Sequence, residues 1–410
     1  MDLPLLDLLR CPFCGTHLDL VDNEALVRDG SQVTWGVLGC QCCAFPILDG
    51  VPVLIADDAT RAAMHAMEAG RREEALASML GLDVSPARRL HALLQGGTAT
   101  YRDALEIISP DAEGTYFIYR FSDPTFVLAE TLVRAIGTGG GITRAIDLCG
   151  GSGHLTRVLG ERSAEPVVVA DVFYWKLWLA QRFTAPGCRP VCCDANHPLP
   201  FAADTFPLVV LSDAFPYIWH KRLLAGEMLR LAGDRGTILM PHLHSSLGFN
   251  FSAGMTLTPA AYQDLFAPAR PRLFRDSDLL GDILGHTAID LSRDVTPEQA
   301  ADEPSVTLVA SRDTGVFRKH HVADPGALTG ELRINPLYRV EARGAQAQLT
   351  LNFPTPEYEE EFGGVRRYLP DSLMLDVDPR GPLTPAHFGT AYTDLRRRRI
   401  LLDTPPRYCS

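Results

Sequence analysis

The 410-residue chain has no excess of basic residues and no long hydrophobic run. Its 50 Asp and Glu residues outnumber its 38 Lys and Arg residues, which gives a formal net charge of −12 at pH 7. This balance argues against broad binding to a nucleic-acid backbone, and no apolar stretch approaches the length that crosses a bilayer. The first residues also lack the basic region and apolar core of a secretory signal. We therefore expect a globular, cytoplasmic protein of two or three domains that does not act at membranes.

Cysteine, in contrast, is present in ten copies, and a cytoplasmic setting favours thiols or metal ligands over disulfides. The segments 11–14 and 40–43 carry cysteine pairs with the spacing of a zinc ribbon. Four thiolates complete a closed tetrahedral zinc site that leaves no position for water. The spacing predicts a structural Zn²⁺ ion bound by Cys11, Cys14, Cys40 and Cys43, with Cys42 close enough to compete for the fourth position. The alternatives are a metal-free remnant with reduced cysteines and a redox dithiol.

The rest of the chain is organised around residues 145–156. An apolar run ends at Asp147 and is followed by a glycine-rich turn and a segment that can begin a helix near His154. Gly151 and Gly153 let the backbone approach a ligand where a Cβ atom would collide. A strand, a glycine turn and a helix in this order predict a ligand-binding loop.

Four further apolar runs follow this loop, and the first three end in acids. They close at Asp171, Asp194, Asp213 and Pro241, and helical patterns lie between several of them, notably at 175–183 and 222–231. Alternating strands and helices predict an α/β fold with a doubly wound parallel sheet whose ligands bind at the carboxyl ends of the strands. Asp171, about twenty residues after the glycine turn, is placed where a ribose diol would bind.

These residues resemble a known family. The stretch Asp147–Gly153 is similar to the first motif of class I S-adenosylmethionine-dependent methyltransferases, and residues 200–210 and 227–236 resemble the family's approaches to its fourth and fifth strands. Cys149 stands where the family usually has its first glycine. The resemblance covers about residues 117–312 and implies a Rossmann-like core that binds S-adenosylmethionine. The cofactor residues that it implies are Asp147, Gly150, Gly151, Gly153, Asp171, Val172, Asp194, Ala195 and Ser212.

Two residues ahead of the first strand are further cofactor candidates. Asp123 or Ser122 can cap a helix that starts at Pro124, so Tyr119 and Arg120 precede that helix. In the family's fold this lead-in passes over the methionine end of the cofactor, where Arg120 could pair with the carboxylate. The alternative is a surface arginine beside a core tyrosine.

The acceptor is expected beyond the fourth and fifth strands. Asp213, Tyr217 and His220 could orient or deprotonate it, although the aromatic residues here could equally form a wall packed on the next helix. His242 and His244 lie two apart on an extended segment, which points them to one side, and either imidazole could act as a general base. A metal site would need a third ligand that the sequence does not reveal, and a structural role is the alternative for each histidine.

The domain organisation follows from these features. Residues 45–54 resemble the end of the small Trm112-like zinc-ribbon domain, which is often fused to, or partnered with, methyltransferases. We predict a hairpin from 332–340 and 347–353, a helix over 356–368, and a loop over the site at 248–255. The predicted parts are a zinc ribbon (1–56), a helical connector (57–115), the methyltransferase core (116–312) and an α+β extension with a substrate or dimer role (313–410).

The resemblance implies methyl transfer to an O, N, C or S atom of a small molecule, in bacterial secondary metabolism. One alternative is a tRNA or rRNA base methyltransferase that contacts RNA through the zinc ribbon; the acidic charge disfavours nucleic acid. Another is a scaffold that binds cofactor without catalysis. A homodimer is compatible with the sequence.

Overall fold

The computed structural model describes residues 1–137, 141–249, 254–286, 288–321 and 328–409. Part of the predicted loop over the site, residues 250–253, lies outside these ranges. Within them the chain forms an N-terminal ribbon, a helical connector, a seven-stranded sheet with helices, and a C-terminal α+β extension. A search of the described residues finds no helix with the length and apolar character needed to cross a membrane.

The N-terminal module is a small antiparallel sheet preceded by one helical turn. Strand β3 is its centre and pairs with β1, β2 and β4, and β4 continues into β5 through a turn at Asp49-Gly50. Both turn residues have positive φ values. Gly50 adopts such a value without steric cost, because it has no Cβ atom. The elements are α1 (Leu3–Leu6), β1 (Asp19–Val21), β2 (Val27–Asp29), β3 (Gln32–Gly39), β4 (Ala44–Leu48) and β5 (Val51–Pro52).

A series of short helices connects this module to the sheet domain. Gly70 and Gly81, both with positive φ, interrupt the predicted helical stretch. Thr100 begins α5 with a capping box, because its side chain accepts from the Asp103 amide while the Asp103 carboxylate accepts from the Thr100 amide. The helices are α2 (Asp58–Glu68), α3 (Arg72–Met79), α4 (Val84–Gln95), α5 (Tyr101–Ile108) and α6 (Ala112–Tyr119).

The seven-stranded sheet confirms the predicted Rossmann-like, doubly wound fold. Its strand order is β11-β13-β10-β9-β6-β7-β8; the pairs from β10 to β8 are parallel, and β13 is antiparallel to both of its neighbours. The order reverses between β6 and β9, and ligands of such sheets bind at this switch point. The strands are β6 (Ala145–Leu148), β7 (Val168–Asp171), β8 (Arg189–Cys192), β9 (Leu208–Leu211), β10 (Thr237–His244), β11 (Pro271–Arg275) and β13 (Ser305–Ser311), and β12 (Ala288–Asp290) and β14 (Lys319–His321) form a separate pair.

The two faces of the sheet are covered by different elements. In β7, Val169 belongs to one buried cluster and Val168 to the other, as expected when successive side chains point to opposite faces. The first cluster includes residues of α7, α8 and α9, and the second includes residues of α10, α11 and the N-terminal module. The helices of this domain are α7 (Pro124–Ile136), α8 (His154–Gly160), α9 (Tyr174–Leu179), α10 (Lys221–Ala232), α11 (Pro259–Leu265) and α12 (Asp276–His286).

The crossover from β8 to β9 contains no helix, and the N-terminal module fills that place. The Arg10 amide donates to the Pro200 carbonyl, and the Ala202 amide donates to the Leu8 carbonyl, each at 2.9 Å. At the outer edge of β8, Val53 pairs in parallel with Cys192, and the Leu54 amide donates to the Cys192 carbonyl at 2.7 Å. The module therefore covers one face of the sheet and also extends its edge.

The C-terminal extension fastens the segment that leads into α7. The Tyr408 hydroxyl donates to the Phe117 carbonyl at 2.8 Å, and the Tyr368 hydroxyl donates to the Ser122 carbonyl at 2.5 Å. The predicted hairpin is correct for β16 and β17, but the prediction that residue 332 begins its first strand is wrong, because β15 pairs with β19 instead. The elements are β15 (Glu331–Ile334), β16 (Tyr338–Arg343), β17 (Gln346–Leu351), α13 (Pro356–Phe362), β18 (Ser372–Leu375), α14 (Tyr392–Arg397) and β19 (Leu401–Thr404).

Candidate cofactor and acceptor site

The glycine-rich loop connects β6 to α8 at the switch point of the sheet. Gly151 and Gly153 have φ values of 56° and 81°, and a Cβ atom at Gly153 would lie 2.9 Å from the Cβ of Ala180. A Cβ atom at Gly150 would lie 2.7 Å from the Cγ of Asp147. These positions accept only glycine without local rearrangement.

Cys149 adopts a φ of 54° at the position where the family usually has glycine. A side chain in this region costs about 1 kcal/mol or more. We therefore expect Cys149→Gly to be about 1 kcal/mol more stable than Cys149→Ala, since both remove the thiol and only alanine keeps a Cβ atom. Chemical denaturation of the two variants measures the difference. An alanine variant as stable as the glycine variant would contradict the strained conformation.

Asp171 ends β7 and is tied to the glycine loop. Its carboxylate accepts one hydrogen bond from the Gly151 amide at 3.0 Å and another from the Phe173 amide at 2.9 Å. The next two residues, Val172 and Phe173, are exposed at the surface. The acid and the loop therefore lie side by side at the carboxyl ends of neighbouring strands, and ribose binding by Asp171 stays a prediction.

Asp147 is buried beneath the loop. The Thr156 hydroxyl donates to its carboxylate at 2.7 Å. Burial raises the pKa of Asp147 to about 7, the nearby charge of Asp171 adds to this rise, and the Thr156 hydrogen bond opposes it. Buried carboxyl groups with strongly raised pKa values are typical of functional sites.

The raised pKa predicts how stability depends on pH. The folded state holds the Asp147 proton more tightly than the unfolded state, so this group's contribution to stability is present at low pH and is lost as pH rises towards 7. Asparagine mimics the protonated form. The free energy of unfolding of Asp147→Asn, relative to that of the wild type, should therefore increase by about 2–3 kcal/mol as the pH rises from 5 to 8. Denaturant unfolding of both proteins at the two pH values measures this gain. A gap that does not change with pH would show that Asp147 ionises normally.

Asp194 and Ala195, two of the cofactor residues that the resemblance implies, follow β8. The Asp194 carboxylate accepts from the backbone amide of Asn196 at 2.8 Å and lies 3.0 Å from the Nδ1 of His197. The Asn196 side chain in turn accepts from the Trp219 amide at 2.7 Å, which joins this turn to the exit of β9.

The lead-in segment lies over the glycine loop. A Cβ atom at Gly151 would be 3.1 Å from the Phe117 ring, so this ring, which the sequence did not single out, covers the loop. Arg120 is buried; its guanidinium donates to Asp123 at 2.8 Å and lies 3.9 Å from Asp213. Tyr119 packs against Tyr358 of α13 in the C-terminal extension.

Asp213, His242 and His244 come together at the ends of β9 and β10. The Nε2 of His244 is 3.2 Å from the Oδ1 of Asp213, and the ring centroids of His242 and His244 are 4.9 Å apart. Asp213 and His242 have φ values of 59° and 61°, and the pairing of β10 shifts between Met240 and Leu243. This bulge changes the direction of the strand where the histidines enter the site.

Asp276, the first residue of α12, holds His242 and was not predicted. Its carboxylate contacts the Nδ1 of His242 at 2.9 Å and accepts from the Thr307 hydroxyl at 2.7 Å. Burial acts to lower the pKa of His242, but the hydrogen bond to Asp276 and the charge of Asp213 outweigh it, so this pKa is raised. Burial acts to raise the pKa of Asp213, but the hydrogen bond from His244 and the charges of His242 and Arg120 lower it. Asp276 lies 34 residues after His242, and only its place as an acid at a helix start is visible in the sequence.

Tyr217 and His220 occupy the exit from β9 at its outer side. Tyr217 ends a short 3-10 helix and is half exposed. The Nδ1 of His220 lies 2.8 Å from the Asn196 carbonyl, so this histidine belongs to the turn after β8 rather than to the Asp213 group.

Three buried polar atoms around this region have no hydrogen-bond partner among the described residues. They are the Ser212 hydroxyl at the end of β9, the Nδ1 of His244 and the Tyr358 hydroxyl. The Tyr358 hydroxyl interacts electrostatically with Asp123 and Arg120, so it belongs to the same group of polar side chains. Buried polar atoms are normally paired, so these atoms fit a site that receives a polar ligand.

In the N-terminal module the structure brings together the sulfurs of Cys11, Cys14, Cys40 and Cys42. The Cys11–Cys42, Cys14–Cys40 and Cys40–Cys42 sulfur distances are 3.7, 3.8 and 3.5 Å. Zn–S bonds of about 2.3 Å in a tetrahedron place sulfurs roughly 3.8 Å apart, so the residues fit a zinc ion. The sequence favoured Cys43 over Cys42; the structure favours Cys42, while Cys43 contacts it from outside the group at 3.4 Å.

Comparisons with known proteins find one relative in sequence and several similar solved structures. No protein-family model matches the chain. Over 60 residues, 14% of its length, the chain is 38% identical to a UPF0434 protein of Ectopseudomonas mendocina and covers 82% of that protein. Among solved structures, the chain is similar to an S-adenosylmethionine-dependent methyltransferase from Mesorhizobium loti (17% identity, TM-score 0.31, covering 41% of this chain and 90% of that one). It is also similar to geranyl diphosphate C-methyltransferase from Streptomyces coelicolor (16% identity, TM-score 0.34, covering 45% and 76%).

Proposed function

We propose that this chain, which belongs to the UPF0434 family through its N-terminal module, is an S-adenosylmethionine-dependent methyltransferase that acts on a small molecule. The observation that carries the proposal is the contact of Asp171 with the Gly151 amide. This hydrogen bond joins Asp171, which would bind the ribose, to the glycine loop at the switch point of a doubly wound sheet. The same edge carries Asp147, Gly150, Gly153, Val172, Asp194, Ala195 and Ser212.

The methionine end of the cofactor would lie towards the lead-in segment. Arg120 uses Nη1 on Asp123 and on the Thr125 hydroxyl, and its Nε and Nη2 donors can bind a carboxylate. Tyr119 and Tyr358 lie beside it, and the unpaired Tyr358 hydroxyl can add a hydrogen bond. In this arrangement the C-terminal extension contributes directly to the cofactor site.

The acceptor would bind at Asp213, His242 and His244, with Tyr217 and His220 nearer the surface. In methyl transfer, the acceptor's nucleophilic atom would bond to the methyl carbon as the carbon–sulfur bond breaks. The electron pair of that bond would stay on sulfur, and a proton on the acceptor atom would leave to solvent. The sulfonium is already reactive, so holding the two atoms in line supplies most of the acceleration. The polar groups here are mostly buried, with side chains of Asp213, His242 and His244 only 19%, 22% and 7% exposed, which suits a small acceptor.

Titration calorimetry of the full chain with S-adenosylhomocysteine tests the cofactor assignment. We expect one molecule bound per chain, with no comparable binding of NAD⁺ or ATP. A structure of that complex would then show the space beyond the sulfur, and its shape would select acceptors for a methyl-transfer assay. Binding of a nicotinamide or a nucleoside triphosphate in place of S-adenosylhomocysteine would overturn the proposal.

A further inference from the structure

We propose that Asp213, His242 and His244 bind a first-row divalent transition-metal ion at the acceptor end of the site, separate from the zinc ribbon. One ligand atom from each residue lies within 4.8 Å of the others. The closest pair, His244 Nε2 and Asp213 Oδ1, is 3.2 Å apart. Metal–ligand bonds of about 2.0–2.2 Å place neighbouring ligand atoms roughly 3.3 Å apart, so small side-chain movements complete the site. Two imidazoles and a carboxylate suit such metals and leave coordination positions open.

The surroundings of His242 are those of a metal ligand. A ligating histidine usually directs its other ring nitrogen to a carboxylate, which fixes the ring and strengthens its donor atom. Asp276 contacts Nδ1 of His242 at 2.9 Å, which leaves Nε2 for an ion. Asp276 is itself held by the Thr307 hydroxyl, so the support extends one residue further.

The charges of the cluster also call for a cation. The Arg120 guanidinium lies closer to Asp123, at 2.8 Å, than to Asp213, at 3.9 Å. The charge of Arg399 also acts on Asp123. Asp213 and Asp276 are therefore the two carboxylates that face the histidines. When both imidazoles are neutral, as metal ligands are, these two carboxylates leave two negative charges in the buried group. A divalent ion would balance them, whereas uncompensated buried charge is costly.

The two oxygens of Asp213 face different partners. Oδ1 faces His244, and Oδ2 faces Arg120. One oxygen can therefore bind the ion while the other keeps its contact with the guanidinium. The left-handed backbone at Asp213 and His242 holds both side chains at this point, and such strain persists where the surrounding structure enforces it.

The catalytic role of this site rests on the proposed function, but its existence does not. A bound ion would hold the acceptor's nucleophilic oxygen and promote loss of its proton to solvent. His242 and His244 would then serve as ligands rather than as bases. The acceptor class would be oxygen nucleophiles.

Cobalt(II) added to the zinc-containing full chain tests the site. After excess metal is removed, elemental analysis should show one cobalt per chain with the ribbon zinc retained. The cobalt spectrum should lack the intense thiolate charge-transfer band that a cysteine-bound ion would give. Mg²⁺ should not compete, because hard cations prefer all-oxygen sites.

Variants distinguish this site from adventitious binding. His242→Asn/His244→Asn should lose the cobalt, whereas His65→Ala, which removes an exposed histidine of α2, should not. Asp276→Asn keeps all three ligands and should weaken cobalt binding about 10- to 100-fold. No cobalt in the wild type, equal cobalt in the double variant, or unchanged affinity in Asp276→Asn would each overturn the proposal.

S-adenosylhomocysteine binding, measured on the same samples, separates the two proposals. Cobalt binding without S-adenosylhomocysteine binding would refute the methyltransferase and leave the metal site standing. The reverse result would refute the metal site alone. In the double variant, retained S-adenosylhomocysteine binding shows that the protein is folded.

Discussion

Replacing Asp171 by alanine is expected to raise the dissociation constant of S-adenosylhomocysteine by two to three orders of magnitude. The carboxylate stands at the end of β7, where it accepts hydrogen bonds from the Gly151 and Phe173 amides and would also bind the ribose hydroxyls. Hydrogen bonds to a charged group contribute about 1.5–3 kcal/mol each. Losing the two bonds to the ribose hydroxyls therefore accounts for an effect of this size. Titration calorimetry measures it directly.

Asp171→Asn is the matched control, because the amide keeps the shape of the side chain and one acceptor oxygen. Its NH2 group cannot accept from the Gly151 or Phe173 amide, so one of these two contacts is also lost. We expect it to weaken binding by about ten- to a hundredfold, less than alanine does. A ligand that lacks both ribose hydroxyls sharpens the test. It should bind the wild type poorly, and Asp171→Ala should discriminate little between it and the parent ligand. If the alanine variant binds S-adenosylhomocysteine normally, the cofactor does not lie on this edge.

Removing the ribbon metal is expected to unfold the N-terminal module and destabilise the sheet domain with it. Structural zinc sites supply about 10–16 kcal/mol of apparent binding energy, more than a module of this size can replace. The module packs on one face of the sheet and lies against residues 200–202, so its loss exposes apolar surface that includes Phe201. We expect a strong chelator to lower the melting temperature of the whole chain, as followed by circular dichroism, and to induce binding of a hydrophobic dye.

Two neighbouring cysteines provide the control for this experiment. Cys42→Ser should lose the zinc and reproduce the effect of chelation, whereas Cys43→Ser should retain both zinc and stability. The opposite result would restore Cys43 as the fourth ligand, as the spacing first indicated. A sheet domain that melts unchanged after complete zinc loss would contradict the coupling between the two parts.

The sequence revealed the elements whose signals are local. The strands at Asp147, Asp171 and Asp213 were predicted because each is a short apolar run that an acid ends. Helix α7 was predicted because Asp123 caps it, through a hydrogen bond from the Phe126 amide, and Pro124 starts it. These features depend on a few consecutive residues, and tertiary contacts reinforced them.

Pairings between distant residues could not be predicted in the same way. The contact between His242 and Asp276 requires the bulge in β10 and the start of α12 to meet, and no local pattern specifies that. The third ligand of the proposed metal site was missed for the same reason, since Asp213 follows β9 whereas both histidines lie on β10. The choice between Cys42 and Cys43 depends on the turn that follows Gly39. Consecutive residues in such a turn direct their side chains differently, and the spacing alone does not show which thiol faces the other three.

The way Val53 and Leu54 lie along β8 has a consequence for assembly. A sheet with a bare outer strand can recruit a strand from another protein, but here the chain has capped its own sheet. A second copy or an extended peptide could add beside β8 only by displacing these residues. The first fifty-odd residues and the remainder, made as two separate polypeptides, should therefore reassociate as complementing fragments. Each fragment would cover the apolar surface and the unpaired strand edge that the other exposes.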